Sequence, residues 1–280
     1  DFRQVSHEAL TELEDLTKVP REKLDKERAG DRHADYYDLF ERCALDVAAE
    51  LRAGRLHTSP RERVEEFYRA ASGSRDTARR IEAREGMLET RVAEGLERLK
   101  RREYSRAEES FKRALGADVA QLWEARLEDP AFDPWPEVPI AVQDAIREKT
   151  AGRDEAARRR ELLQSLRSGE FVPAHARLAP ALEALPGLYA AWGAQLLEQG
   201  NVAGAMEKMR GVLRRGDAGV AGPARDCAES LRLSLKRSLA SKDIGRIFEV
   251  AGFYVAEVGV PGAGDPFRAE FRSSLAAASE

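Results

Sequence analysis

Long apolar runs are missing from this sequence. No stretch of eighteen hydrophobic residues occurs, so no bilayer-crossing helix and no direct membrane insertion are expected. No leader with a basic start and an apolar middle is visible. Cysteine is scarce: Cys43 and Cys227 stand far apart without metal-ligand spacing, which leaves their redox state open. The four histidines, at positions 7, 33, 57 and 175, fall in no HExxH pattern and beside no nucleophile signature. Basic excess is absent too. The net charge is −4 with a pI near 5.8, and there is no basic stripe or RNP-like aromatic set, so nucleic acid is not an expected partner. Alternating Val/Ile/Thr runs are lacking, which argues against a sheet.

What the chain does hold is charge, 34% of its 280 residues, spread among apolar positions at helical spacing. That combination reads as amphipathic helices, an all-α fold. Tyr36, Leu39, Phe40, Cys43, Val47 and Leu51 trace one face of a first clear helix. Ser59-Pro60-Arg61-Glu62 has the form of a capping box and opens a helix that buries Val64, Phe67 and Tyr68. Residues 76–102 read as one long helix. Ser105-x-x-Glu108 reads as a second capping box, and Asp118 with Gln121 as a third helix start. Residues 129–139 (DPAFDPWPEVP) carry four prolines, which exclude regular helix and mark a linker. Trp135 within it is expected to tuck back onto its own chain, because a large aromatic gains most from burial, with a docking peptide for a partner as the alternative. Helix returns over 140–168 with a break near Gly152, then over 224–241 and after Asp243. A short helix over 6–17 and a last one holding Phe267, Phe271 and Leu275 complete the reading.

A five-position pattern recurs. From Tyr104, Phe171 and Val202 the same offsets, +3, +7, +10 and +11, reach Ala107, Phe111, Ala114 and Leu115, then Ala174, Leu178, Ala181 and Leu182, then Ala205, Met209, Val212 and Leu213. The offsets share one stripe of a helix, with a small residue at +3 for close approach and a bulky one at +7. Gly169 and Gly200 precede two of the three sets. Repetition of this kind points to stacked helix pairs, since one hairpin cannot bury such a stripe alone.

Residues 189–209 stand as Tyr189-x2-Trp192-Gly193-x2-Leu196, then Ala205-x3-Met209, with sixteen residues from Tyr189 to Ala205. Around Tyr104, Gly95, Ala107 and Phe111 fall in the same register, with sixteen residues from Arg91 to Ala107. This resembles the tetratricopeptide repeat family. The copy at 88–115 departs at Glu94 and Arg98. The copy at 155–185 departs at Arg158, Glu161 and Ser165, and carries Pro180 in its second helix. The resemblance implies a right-handed α-solenoid of stacked helical hairpins: a helical cap region over 1–75, a first hairpin and following helix over 76–128, the linker 129–139, and further repeats with a terminal capping helix over 140–280.

The resemblance also implies a non-catalytic adaptor or scaffold whose concave groove takes a peptide or amphipathic helix of a partner protein. Inner-face positions would be Val92, Leu96, Leu99 and Lys100 in the first hairpin. They would be Arg159, Leu163, Leu166 and Arg167 in the second, and Ala194, Leu197 and Glu198 in the third. Apolar residues with a basic rim would suit an apolar peptide with acidic flanks. The alternative is a structural subunit of a larger multiprotein assembly, envelope-associated ones included.

No cofactor, metal or catalytic cluster is expected. Asp31, His33 and Asp35 read as a solvated loop, Gly259–Gly264 as a turn, and Glu65-Glu66 and Glu108-Glu109 as helix surface. The cytoplasm is the default compartment. A start at Asp1 rather than Met leaves an exported origin or a fragment of a membrane protein open.

Overall fold

A computed structural model describes residues 34–53, 61–74, 76–215, 218–259, 267–269, 272–273 and 276. The helix expected over 6–17, His7, His33, His57, the residues around Gly262 and most of the last expected helix lie outside these. Among the described residues the chain is helical, without a strand. In order come α1 (Ala34–Arg52), α2 (Arg61–Ala71), α3 (Thr77–Lys100), α4 (Tyr104–Arg113), α5 (Val119–Leu127), α6 (Ile140–Lys149), α7 (Glu155–Arg167), α8 (Ala179–Glu198), α9 (Val202–Leu213), α10 (Ala221–Ser241) and α11 (Ile244–Glu257). No helix among the described residues is long and apolar enough to cross a membrane.

Contacts group the described residues into two units. One takes those within 1–97 and 109–179, the other those within 98–108 and 180–280. In the first, α1 and α2 pair through Ala44, Val47, Ala48, Val64, Phe67 and Tyr68, and Ala83 and Met87 of α3 join the same core. Gly86 of α3 lies against the ring of Tyr68, in space that a Cβ would fill.

Two expected helix starts are corrected. Ser105 does not cap α4, which begins one residue earlier, at Tyr104. Asp118 opens no helix either: a π-turn over Ala114–Asp118 carries α4 into α5. Such a turn absorbs one extra residue without a break. Asp118 is buried and lies 3.7 Å from both Arg91 and Arg113. Burial pushes its carboxyl above the ordinary range, and the two guanidiniums oppose that rise.

The Pro-rich segment lies within this unit. Trp123 of α5 is fully buried and meets Phe132 and Phe171 edge-on, with ring centroids 5.8 and 6.3 Å away. Arg126 spreads its guanidinium 4.0 Å over Phe132 and pairs with both oxygens of Glu137, at 3.0 and 2.7 Å. The backbone N–H of Ala174 donates to the Glu137 carbonyl at 3.0 Å. Trp135, the expected anchor, is only half-buried, its indole N–H donating to Glu155 at 3.3 Å. Pro134 and Val138 pack more deeply. Stacking on Trp123 fixes this segment, as the gain from aromatic burial favours.

The hairpin expected over 155–185 is not formed. After α7 the chain leaves Gly169 (φ +75°) in extended form and reaches helix only through a 3₁₀ turn at Ala176–Leu178. Pro173 disfavours helix at Val172 and supplies no amide donor of its own. Pro180 falls on the second residue of α8, where proline is tolerated. Phe171, Leu178 and Ala181 are buried, but Ala174, the small contact residue of the pattern, faces solvent and Leu182 is 38% exposed. Pro186 sits inside α8 without ending it.

In the second unit α8 and α9 form the hairpin that the pattern described. Asn201 caps α9 by accepting the Gly204 N–H at 3.0 Å. Asp243 caps α11 in the same way at Arg246, 3.1 Å. Val202, Ala205, Met209 and Val212 share one core with Cys227, Leu231 and Leu235 of α10 and with Ile247, Val250, Ala251 and Tyr254 of α11.

Candidate functional site

Two hairpins repeat one packing device. A Cβ placed on Gly95 would lie 2.5 Å from the ring of Phe111, and one on Gly193 would lie 2.5 Å from Met209. Each glycine therefore seats the bulky residue sixteen positions on. The joining turns match as well. Arg102 and Gly200 both take positive φ, 61° and 81°. In the first turn the Glu103 N–H donates to the Arg98 carbonyl, and in the second the Asn201 N–H donates to that of Leu196.

Within the second unit, this turn chemistry places Glu103, Tyr104, Ser105 and Arg106 opposite Trp192 and Gln195 of α8, around a cleft of about 310 Å³. The wall behind Trp192 is held by charge. Lys208 of α9 lies 4.3 Å above the Trp192 ring and 6.0 Å from that of Tyr189. Its ammonium also reaches both carboxylate oxygens of Glu108, at 3.3 and 3.4 Å. Glu108, expected at the surface, is therefore buried. Burial, reinforced by the Glu108 carboxylate and a hydrogen bond to it, pushes the Tyr189 hydroxyl up to about 12. Tyr189 thus remains a proton donor to a carboxylate already neutralised by Lys208. The cleft presents an aromatic wall with a polar rim.

The expected inner-face residues are distributed over both units. Val92, Leu166 and Leu197 are ordinary core, at 4%, 2% and 3% exposure, and so cannot line a groove. The resemblance implies an inner face at these positions, but a repeat motif does not say which neighbour covers each apolar residue. Leu96, Leu99, Leu163 and Ala194 are half-buried, and Lys100, Arg167 and Glu198 are exposed. Arg159, expected on a basic rim, instead donates to the carbonyls of Leu127, Asp129 and Phe132 at 3.1, 3.2 and 2.8 Å. These close the non-helical chain after α5, whose carbonyls lack helical donors. Arg167 pairs with Glu124 at 2.8 Å.

None of the expected residues lines the cleft. Of those that do, Trp192 was legible in the repeat motif and Tyr104 as the first member of a repeated set. Tyr104 is only half-buried, whereas its counterpart Val202 is buried. A large aromatic at a position where the sister helix carries valine is the signal that marks the site.

His175 accepts the Arg177 N–H at 3.3 Å and lies 3.9 Å from Glu85. Burial, then the Arg126 charge, lowers its pKa. Among the described residues no three His, Cys, Asp or Glu side chains converge as metal ligands would. Compared with known proteins, the chain matches no family model, no curated protein and no solved structure.

Proposed function

We propose that the chain is a tetratricopeptide-like, non-catalytic adaptor that binds a segment of a partner protein at the Trp192 cleft. The observation that carries this reading is the half-exposed Trp192 and Tyr104 across an open concavity. Its volume, near the lower end of the range for ligand pockets, suits one apolar or aromatic side chain of a peptide. Rigid aromatics of this kind dominate binding energy where they can be covered. Arg106 and Glu103 on the rim would meet the polar flanks of such a segment. A structural subunit of a larger assembly, the rival reading, would instead show tight stoichiometric association with other chains.

Display selection with a peptide library, using the intact chain, tests the proposal. It should enrich a defined motif with one apolar anchor. Trp192→Ala and the cleft-filling Ser105→Trp should each weaken the selected peptide at least tenfold, with the helical melt of Ser105→Trp unchanged. Equal affinity for wild type and both variants, or no enriched motif, would reject the cleft.

A further inference from the structure

Of the four histidines, His175 alone lies among the described residues, and its side chain is 9% exposed. Its Nδ1 accepts the Arg177 N–H and so caps the 3₁₀ turn Ala176–Leu178. A backbone N–H keeps its own proton, so Nδ1 can accept from it only while carrying none. Capping and protonation at Nδ1 therefore exclude each other. The turn is the last step of the connector over 168–178, which joins α7 to α8. Earlier in that connector, Phe171 meets Trp123 of α5, and the Ala174 N–H donates to the Glu137 carbonyl.

The charges around the ring are already matched. From α3, one oxygen of Glu85 lies 3.9 Å from Nε2, but the other holds Arg177 at 2.6 Å. Glu89 on the same helix pairs with Arg177 and with Arg52. Arg126 of α5 and Glu137 of the Pro-rich segment bond each other twice. Among the described residues, three carboxylates thus stand against three guanidiniums. An imidazolium here would be the unmatched charge, buried beside Arg126 and Arg177, and a buried unmatched charge is costly. Burial, then the Arg126 charge, accordingly holds the ring's pKa below its ordinary value. A state in which the ring reaches water takes the proton more readily, and acid favours whichever state binds it better.

We propose that His175 is a proton-operated latch: when Nδ1 takes a proton from water, the Arg177 N–H is let go and the connector over 168–178 comes away from α3 and α5. The N–H···Nδ1 bond breaks as the Nδ1–H bond forms. The latch is closed above the ordinary histidine range and opens as pH falls below it, through the lowered value. It goes beyond the adaptor reading and stands without it.

Amide hydrogen exchange of the full chain, read as protection factors at about pH 7 and about pH 5, is the test. In wild type the protection of the Ala174 and Arg177 amides should fall about tenfold or more on acidification, with that of the α1–α2 pair unchanged. His175→Asn offers a side-chain oxygen as cap and takes no proton, so its connector should stay protected at both pH values. His175→Ala should be open at both. Flat protection in wild type overturns the proposal. So does an equal loss in α1–α2, which would mean global unfolding. A fall in His175→Asn as large as in wild type overturns it too, by assigning the effect to the surrounding carboxylates. Ring nitrogen NMR shifts of wild type give a test free of variants. Nδ1 should gain its proton over the pH range in which the Arg177 amide opens, and a protonated Nδ1 beside a protected Arg177 amide overturns the latch.

Discussion

Gly95 and Gly193 are worth more for what they lack than for any conformational freedom. Both sit inside helices, where glycine costs roughly 1 kcal/mol relative to alanine. Each repays that cost by letting a bulky side chain of the next helix approach the backbone. Gly95→Ala should therefore destabilise by about 1–2 kcal/mol, because the fully buried Phe111 ring cannot yield and overpacking outweighs the propensity gain. Gly193→Ala should cost less, since methionine is flexible and can repack. Gly211→Ala, in the open on α9, should instead stabilise by about 0.5–1 kcal/mol. Urea unfolding of the three variants gives the order, and a Gly95→Ala as stable as Gly211→Ala would contradict this account. The arginines separate in the same way: Arg159 serves three carbonyls, while the exposed Arg167–Glu124 pair is of a kind worth under about 1 kcal/mol.

At the scale of elements, the helix ends are the repeated unit. Arg102, Gly169, Gly200 and Lys242 each take positive φ after a helix, and each is followed by an N–H that donates back five residues. This closure satisfies carbonyls that the helix leaves open, and glycine suits it because the left-handed region crowds a Cβ. Two of the four positions carry long side chains instead. Arg102→Gly and Lys242→Gly should each raise stability by about 0.5–1 kcal/mol, and Gly200→Ala should lower it by about 1 kcal/mol. Thermal melts of the single variants check the signs. Gly169 shows that the turn alone does not make a hairpin. Its geometry matches the other three, yet the chain beyond it stays extended because Pro173 follows.

At the scale of the molecule, many charges of the described residues are paired. Arg91 bonds Glu65 at 2.7 Å and Glu94 at 2.9 Å, and Arg177 bonds Glu85 at 2.6 Å. The titrations that stand out are alkaline ones. Burial pushes the Cys227 thiol up to about 12, and Tyr68 and Tyr189 also to about 12. In each case the folded state keeps a proton that the unfolded chain has already released. That contribution is intact below the unfolded pKa and is lost as pH rises toward the folded one. The urea midpoint should therefore fall between about pH 9 and about pH 12, and Cys227→Ala should flatten that fall. A midpoint independent of pH over this window would count against burial of these groups. Native Cys43, which is half-exposed, should react with a thiol reagent well before Cys227.

The helices, most of their ends and the cores of α8–α9 and of α3–α4 were readable from the residues alone. Apolar spacing, proline, glycine and Asn/Asp caps act within a turn or two of the chain, and local forces of that range are written in local sequence. Ala107 and Ala205 took their buried contact places for that reason, as did the caps at Asn201 and Asp243. What covers each stripe was decided only in three dimensions. Val92, Leu166 and Leu197 became core, Arg159 turned to backbone carbonyls, Asp118 met two arginines instead of capping a helix, and Glu108 was drawn inward by Lys208. The contacts of Arg159 and Glu108, and that of Asp118 with Arg91, join residues tens of positions apart. The energy of burying a leucine or a charge is a property of the neighbour it finds, and sequence spacing leaves that neighbour unnamed.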